Sequence, residues 1–464
     1  MRGIAFTLAI ALAAGAPVSA GPPLASMVPE QRPERVFRPA AALQPIAVST
    51  TAERAAPSAF AVRRSLRPIL RAGAPEGFAE ARATVTRAAP PVDPDFRRWI
   101  EGFRARAIAQ GIAPAVFDRA FAGVELQPRV VERDRNQAEF SRTLWDYLDS
   151  AVSDARIRNG RAAAAEHRAA LAEIERRYRV EAEVVVAVWG LESAYGAQRG
   201  SIDIVSAMAT LAYDGRRRDF FEAQLIAALR ILQSGDVSPR RMTGSWAGAM
   251  GHTQFMPTSY LEHAQDFDGD GRRDIWSDDP TDALASTAAY LRNFGWTYGQ
   301  PWGLEVRLPG GFDYALAGES IRREAGFWRR QGVTLADGSA LPDHGEGSIL
   351  LPAGAEGVAL MIYDNFRVIE RYNPADAYVI GVGHLSDRIQ GGPAFRAGWP
   401  RGDRALTGDE RRELQTRLTA AGFSTGGIDG RIGPMTADAV RRFQRSVGVV
   451  PDGYASLRLL ERLR

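Results

Sequence analysis

The chain has 464 residues, 45% of them hydrophobic, and a formal net charge of +3 at pH 7. This length exceeds what one ordinary hydrophobic core organises, so two or more domains are expected. The absence of cysteine excludes disulfides, a thiolate metal site, a cysteine nucleophile and a lipid-modified N-terminal cysteine. The 58 basic residues are all arginine, which indicates a compositional bias, and we expect no nucleic-acid partner.

The first 20 residues have the layout of a secretory signal peptide. Arg2 precedes an apolar run over residues 4–16, and Val18-Ser19-Ala20 fits the small-x-small rule for cleavage. The alternative is a membrane anchor, but this run is shorter than the roughly 20 residues that span a bilayer. Residues 21–92 are rich in Pro, Ala and Arg without apolar periodicity, so we expect a disordered linker there.

From residue 93 onward the apolar spacing predicts a mainly α fold with a small β-rich part. Helices are predicted from near residue 93 to Gly111, at 115–121, and over residues 161–178, 181–192, 218–233, 282–294 and 374–390. Short alternating runs between about residues 303 and 370 (LEVRLP, GSILLP and VALMIYDNFRVI) predict a strand-rich insertion. We expect a catalytic domain over residues 93–395, a linker over 396–404 and a helical module over 405–464.

The candidate for chemistry is Glu192, at the end of the apolar segment AVWGLESAYG over residues 187–196. The Gly-rich segment GSWAGAMGHTQFMPTSY over residues 244–260 follows and carries Gln254. Burial among apolar neighbours would raise the pKa of the Glu192 carboxyl and keep it protonated near neutral pH. The sequence offers no partner carboxylate at a telling spacing, whereas ordinary glycosidases use a pair. The alternative is a surface glutamate at a helix end.

Together these motifs make residues 93–395 resemble the lytic murein transglycosylase B family, which cleaves the glycan strands of peptidoglycan. The resemblance implies a lysozyme-like helical domain in which Glu192 acts first as acid and then as base. It also implies that the C6 hydroxyl of the substrate attacks the anomeric carbon, giving 1,6-anhydromuramoyl ends without water. The positions that match substrate-binding residues of the family are Ser245, Gln254, Arg216, Arg217, Tyr290, Tyr372 and Asn373.

Several of these positions have simpler alternatives. Tyr290 could belong to the core of its helix, and the arginine run 216–218 could be a solvated turn. Ser245 could be a helix N-cap. For Gln254, packing gives little explanation for a glutamine between a Gly-rich turn and FMP, so a functional role is favoured there.

The segment DFDGDGRRD over residues 266–274 resembles a calcium-binding loop. Asp266, Asp268 and Asp270 take positions 1, 3 and 5 of an EF-hand, and the carbonyl of Arg272 takes position 7. Position 12 is not glutamate; in the resembling family a later aspartate closes the site, and Asp282 matches it. We expect a structural calcium, with an acidic turn as the alternative, and no cofactor for catalysis.

Residues 405–463 resemble the three-helix peptidoglycan-binding domain. The shared pattern begins with LQ, continues with DG-x-IG followed by AV and FQ, and ends with a second DG. The apolar residues of the segment form stripes that suit a small helical core. The segment has no titratable cluster, so its expected role is binding.

The leading hypothesis is a periplasmic lytic transglycosylase, monomeric, with peptidoglycan as substrate and cell-wall synthesis proteins as candidate partners. The sequence carries neither HExxH nor G-x-S-x-G, which argues against a zinc amidase and a serine hydrolase. Two alternatives stay open. A hydrolytic muramidase would use the same Glu192 but add water, and a non-catalytic scaffold would only bind the cell wall.

Overall fold

The computed structural model describes residues 93–135 and 142–464. The signal peptide predicted over residues 1–20 and the linker predicted over 21–92 lie outside these ranges. The described residues form seventeen α-helices and seven strands, so the prediction of a mainly helical fold with a small sheet is confirmed. None of the helices in the described ranges has both the length and the apolar character that crossing a bilayer requires.

Six short or amphipathic helices form the first part of the catalytic region. Asp93 caps the first of them, since its carboxylate accepts hydrogen bonds from the backbone N–H groups of Asp95 and Phe96. Phe96 and Phe103 are fully buried on one face of this helix. The helices are α1 (Pro94–Ala109), α2 (Pro114–Phe121), α3 (Pro128–Arg135), α4 (Leu144–Ala151), α5 (Asp154–Glu166) and α6 (Arg168–Tyr178).

The prediction of one continuous helix over residues 161–178 was wrong. The chain leaves helical geometry at His167, with φ −97° and ψ 20°, and this residue ends α5 and begins α6. The physical reason is that the two halves bury their apolar faces in different places. Helix α5 packs on the two long core helices described next, α7 and α14, whereas α6 packs mainly on α11 and touches α7 only in part.

The main core is built around helices that are apolar on nearly all sides. The helix predicted to carry Glu192 is α7 (Ala182–Ser193), with buried residues throughout its middle. The others are α8 (Ile204–Asp214), α9 (Arg218–Ser234), α10 (Pro257–His263), α11 (Thr281–Asn293), α13 (Asp364–Tyr372) and α14 (Asp376–Gln390). A two-stranded ribbon, β1 (Ile202–Asp203) with β2 (Thr243–Gly244), leads into the Gly-rich segment.

A second, smaller core lies under an antiparallel sheet with strand order β4-β6-β7-β3-β5. The strands are β3 (Gly303–Arg307), β4 (Arg323–Glu324), β5 (Thr334–Leu335), β6 (Glu346–Leu350) and β7 (Ala359–Ile362), with α12 (Ala325–Arg330) between β4 and β5. The indole of Trp328 fills the centre of this core and is fully buried. The register of the central pair sets Gly303 opposite Ile362 and Val306 opposite Ala359.

The predicted strand run VALMIYDNFRVI contains only one short strand. Strand β7 ends at Ile362, and α13 begins at Asp364 in the same run. Phe366 and Ile369 are fully buried, three residues apart on one face of the helix. The run therefore changes from a period of two to a helical period in its middle, which a single alternation pattern does not capture.

The C-terminal residues form three helices around their own apolar core: α15 (Gly408–Ala420), α16 (Pro434–Ser446) and α17 (Leu457–Leu463). Thr407 and Glu410 form a capping box that starts α15. The module contacts the sheet region through Asp452. One carboxylate oxygen of Asp452 accepts a 2.9 Å hydrogen bond from the backbone N–H of Ala355, and the other accepts one of 2.7 Å from Gln444 of α16.

Candidate active site

Glu192 lies in the last turn of α7, at the edge of the main core. Buried residues run from Val184 to Gly190, whereas Leu191 and Glu192 are half-buried. The buried run fixes the helix in the core, and the helix in turn fixes the position of the carboxyl. Because a helix carries partial negative charge at its C-terminal end, this place disfavours a carboxylate anion.

The carboxyl of Glu192 is held near its titration midpoint at neutral pH. Burial raises its pKa from 4.5 to about 7, because the charged form loses hydration. Tyr378 acts in the opposite direction, since its hydroxyl donates a 2.6 Å hydrogen bond to Oε1 and lowers the pKa. Among the described residues, no second carboxylate contributes to this shift. The group can therefore give up a proton and then persist as an anion stabilised by Tyr378.

Tyr378 reaches Glu192 because α14 packs closely on α7. Helix α14 also packs on α4 at Gly381, where an added Cβ would lie 3.1 Å from the ring of Tyr147. The same Cβ would lie 3.5 Å from Leu191 of α7, which is an ordinary van der Waals distance. The glycine therefore leaves room for the ring of Tyr147 beside α14.

Three phenols surround the acid: Tyr147, Tyr372 and Tyr378. Burial, and then the negative charge of Glu192, raise the pKa of Tyr147 to about 12. The same two causes raise the pKa of Tyr372 and of Tyr378 well above 10.0. All three hydroxyls therefore stay protonated at neutral pH, and that of Tyr378 is the one that donates to Glu192 among the described contacts.

The Gly-rich segment folds into tight turns beside this acid. Ser245 is not a helix N-cap; it closes a turn in which its hydroxyl accepts a 3.0 Å hydrogen bond from the N–H of Ala249. Gln254 has a left-handed backbone, with φ 56°, which costs energy for a residue with a Cβ. Its side-chain amide donates to the carbonyls of Gly251 and Arg199 at 2.8 and 3.0 Å. Such strain is typical of functional sites.

The predicted groove tyrosines lie together and next to Gln254. The rings of Tyr290 and Tyr372 are 4.9 Å apart. The hydroxyl of Tyr372 donates a 2.6 Å hydrogen bond to the carbonyl of Thr253, and the Tyr378 ring stacks 6.5 Å from Tyr372. Tyr290 is also largely buried in its helix, as its core alternative expects.

Asn373 follows Tyr372 and ends α13. Its side-chain oxygen accepts a 3.1 Å hydrogen bond from the N–H of Ala375, and the side chain is half-exposed. The residue therefore shapes the turn between α13 and α14. Substrate binding by Asn373 stays a prediction.

Arg216 and Arg217 bind an acid that sequence reasoning did not single out. Both guanidinium groups donate to the buried carboxylate of Asp134, at 2.7 and 2.6 Å. Although burial disfavours its charge, the two arginines hold the pKa of Asp134 below its usual value. The described contacts of this pair include none to Glu192 or Tyr378. Both arginines keep more than 40% of the side chain exposed, so each retains surface for a ligand.

The acidic loop brings three of its predicted ligands together. The carboxylates of Asp266, Asp268 and Asp270 are exposed and offer oxygens within 4.8 Å of one another. The N–H of Arg272 donates a 2.8 Å hydrogen bond to Asp270, which closes the turn.

Asp282 is buried beneath this loop and is not in the three-carboxylate cluster. Its oxygens accept hydrogen bonds from the backbone N–H groups of Phe267 and Asp274 at 2.8 and 2.9 Å. Burial raises its pKa to about 6. In this structure Asp282 organises the loop backbone, and its role as a metal ligand stays a prediction.

Residues 95–387 match the family model of the transglycosylase SLT domain, and residues 407–463 match that of the peptidoglycan binding domain. The first match covers more than half of the chain. The chain therefore belongs to the transglycosylase SLT domain family.

Individual relatives agree with this assignment. The crystal structure of SltB3 from Pseudomonas aeruginosa in complex with NAG-anhNAM-pentapeptide shares 50% sequence identity with this chain, and the two folds superpose with a TM-score of 0.78. The match covers 80% of this chain and 99% of the SltB3 chain. The Escherichia coli lytic transglycosylase Slt35 in complex with calcium is 26% identical, with a TM-score of 0.55, covering 64% of this chain and 93% of that one.

A curated relative is the membrane-bound lytic murein transglycosylase B of Escherichia coli. It is 32% identical over 219 residues, which are 46% of this chain. The match spans 58% of that relative's length.

Replacing Glu192 with Gln should stabilise the folded protein in a pH-dependent way. Since the folded pKa of about 7 exceeds the ordinary value, the contribution of Glu192 is fully present below its unfolded pKa and is lost as pH rises through about 7. We expect Glu192→Gln to raise the unfolding temperature more at about pH 8 than at about pH 5. Differential scanning calorimetry measures this.

The matched control is Glu101→Gln, which removes an exposed glutamate of α1. Its effect on the unfolding temperature should be small and equal at the two pH values. A difference in unfolding temperature between wild type and Glu192→Gln that does not grow with pH would contradict a raised pKa of Glu192.

Proposed function

We propose that the protein is a lytic transglycosylase of peptidoglycan and that Glu192 is its acid and then its base. The observation that carries the proposal is the carboxyl of Glu192, which has a pKa of about 7 and accepts a hydrogen bond from the Tyr378 hydroxyl. Among the described residues, no second carboxylate contributes to this pKa. One group near its midpoint can give a proton and later accept one. The relative crystallised with NAG-anhNAM-pentapeptide supports this substrate class.

In the first step the protonated Glu192 donates its proton to the oxygen of the bond between MurNAc and GlcNAc. Tyr378 is already positioned to hydrogen-bond the carboxylate that results. The N-acetyl group of the substrate assists departure of the leaving group, which takes the place of a second enzyme carboxylate. In the next step Glu192 removes the proton of the C6 hydroxyl, and this oxygen attacks the anomeric carbon to form the 1,6-anhydro ring.

The surrounding residues provide a binding groove for a sugar with a peptide. Gln254 and Ser245 shape the turn beside the acid, and Tyr290 and Tyr372 offer aromatic surface on which sugar rings pack. Arg216 and Arg217 would attract carboxylates of the peptide stem. The C-terminal module would hold the enzyme on its insoluble polymer, which raises the local substrate concentration.

We also propose secretion to the periplasm, where this polymer lies, by the predicted signal peptide. The proposed state there is a monomer. Cell-wall synthesis proteins remain candidate partners on the basis of shared substrate.

The reaction type is tested by mass spectrometry of products from purified peptidoglycan. We expect wild type to release fragments with 1,6-anhydromuramoyl ends and Glu192→Gln to release at least about a thousandfold less, because a general acid and base is lost in both steps. The two proteins should bind the polymer equally in a sedimentation assay.

Two other outcomes of the product analysis would each favour an alternative function. Reducing ends in place of anhydro ends would make the protein a hydrolytic muramidase. Binding without turnover by wild type would favour a non-catalytic scaffold.

Tyr378→Phe tests the proposed stabilisation of the anion. The substitution removes one hydroxyl and its hydrogen bond to Glu192, so we expect kcat to fall about 10- to 100-fold, since a hydrogen bond to a charged group contributes about 1.5–3 kcal/mol. Steady-state turnover of a muropeptide chain measures it. The control is Tyr363→Phe, whose buried hydroxyl has no hydrogen-bond partner within residues 93–135 and 142–464; kcat should be unchanged. Equal kcat for Tyr378→Phe and wild type would contradict the assignment.

We propose that the acidic loop binds one calcium ion with a structural role. The donor set fits, since Asp266, Asp268 and Asp270 present oxygens in a small space and calcium prefers six to eight oxygen ligands. The Slt35 structure in complex with calcium supports this. The carbonyl of Arg272 and the buried carboxylate of Asp282 are the further candidate ligands.

Calcium should raise the unfolding temperature of wild type but not that of Asp268→Asn. An ion at a hundred times its dissociation constant stabilises the folded state by about 2.7 kcal/mol. The matched control is Asp337→Asn, which alters another exposed aspartate turn outside the cluster and should keep the calcium response. An equal calcium response in Asp268→Asn and wild type would exclude the site. Saturating calcium should leave kcat of wild type within about twofold, because this ion activates no group of the substrate.

A further inference from the structure

A buried histidine, His252, connects α7, the helix that carries Glu192, to the Gly-rich segment that carries Gln254. His252 is only 3% exposed. Its Nδ1 accepts a 3.1 Å hydrogen bond from the indole N–H of Trp189, one turn before Glu192 on α7. Its Nε2 lies 2.8 Å from the carbonyl of Ser277. The imidazole therefore lies between α7 and the segment that follows the acidic loop.

These contacts determine the tautomer of the ring. Because Nδ1 accepts from the indole, the proton of the neutral ring sits on Nε2, which then donates to the Ser277 carbonyl. The Arg199 guanidinium nitrogen 3.2 Å from Nε2 is then a close contact without a hydrogen bond, and its N–H group donates to the Ser277 carbonyl instead. Burial lowers the pKa of His252, which agrees with a neutral ring. The charged and titratable groups that face it are Arg199, Asp278 and His167.

The backbone of His252 is held at the same place. The Ser193 hydroxyl, next to Glu192, donates a 2.5 Å hydrogen bond to the His252 carbonyl. The N–H of His252 donates to the Ile275 carbonyl at 3.1 Å. The ring also fits closely against Gly196, where an added Cβ would lie 2.6 Å from Nδ1. The side chain and both backbone polar groups of one residue are thus all engaged.

Gln254 lies two residues after His252 and depends on the same contacts. Its amide donates to the carbonyl of Arg199, and the guanidinium of Arg199 donates to the carbonyl of Ser277. The carbonyl of Ser277 is the acceptor for His252 as well. Between them, at Thr253, the carbonyl accepts from Tyr372. A shift of residue 252 would therefore move Gln254 relative to the carboxyl on α7.

We propose that His252 is a positioning residue for the transglycosylase reaction, which keeps the loop of Gln254 in register with Glu192 through the hydrogen bond to Trp189. The inference rests on the proposed function. It assigns a role to a residue that does not touch the reacting atoms. The hydrogen bond from Trp189 is the contact on which this positioning depends, because the Trp189 indole is on α7, the helix that carries Glu192.

Two substitutions separate the two ring nitrogens. His252→Asn places an amide oxygen near the position of Nδ1, so it can still accept from Trp189. His252→Gln places its amide near Nε2, so it keeps the Ser277 contact and loses the one to Trp189. We expect Asn to retain kcat within about threefold of wild type and Gln to lose at least about tenfold, since small misplacements of catalytic groups cost one to two orders of magnitude. KM should change less than kcat in both.

The Trp189→Phe background completes the test. Without the indole N–H, the Asn and Gln variants should have equally low kcat, because the bond that distinguishes them is gone. His384→Gln is the control for a buried imidazole: this ring stacks 3.8 Å from Phe395 and is not part of the network. It should keep wild-type kcat whatever its effect on the unfolding temperature.

The outcomes separate the inference from the proposed function. Wild type that makes anhydro products, together with kcat of His252→Gln within about twofold of wild type, would overturn the positioning role alone. The role would also be overturned if Asn and Gln lost the same activity in proportion to their loss of stability. Wild type without any products would overturn the proposed function, and the positioning role with it.

Discussion

The burial of one carboxyl group at the end of a core helix is the constraint on which the rest of the site depends. Glu192 lies where both the lack of solvent and the C-terminal end of α7 disfavour its charge. Such a group lowers the stability of the folded protein at neutral pH. The fold tolerates this cost because α7 is buried along most of its length.

The hydroxyl of Tyr378 limits that cost and sets its size. Without a donor, a buried carboxyl would keep its proton too strongly to give it to a sugar oxygen. A carboxylate with several donors would hold no proton at neutral pH. A single 2.6 Å hydrogen bond leaves the pKa at about 7, where both forms are accessible. The packing of α14 on α7, which brings this hydroxyl to the acid, is therefore part of the chemistry.

Features with a local signal were predictable from the sequence. The apolar run of α7, the helix α9 and the strands at 303–307 and 346–350 follow from periodicity. Glu192 could be singled out because an acid at the end of an apolar helix is unusual. The three clustered aspartates of the acidic loop follow from their spacing.

Features that depend on tertiary contact were not predictable. Tyr378 is 186 residues from Glu192, and no local pattern relates the two. Asp134 has no local signal either, because only the fold brings its carboxylate to the two arginines Arg216 and Arg217. The break at His167 arises because α5 and α6 meet different partners, although the propensity of residues 161–178 favours one helix.

The most direct test of this account is the pKa of Glu192, measured by NMR titration of side-chain carboxyl carbons in wild type labelled with ¹³C-glutamate. The signal that is absent from Glu192→Gln assigns the residue. The burial of Glu192 predicts a titration midpoint at about pH 7. A midpoint near the ordinary glutamate value of about 4.3 would contradict it, because the group would then be ionised at neutral pH and unable to act as the acid.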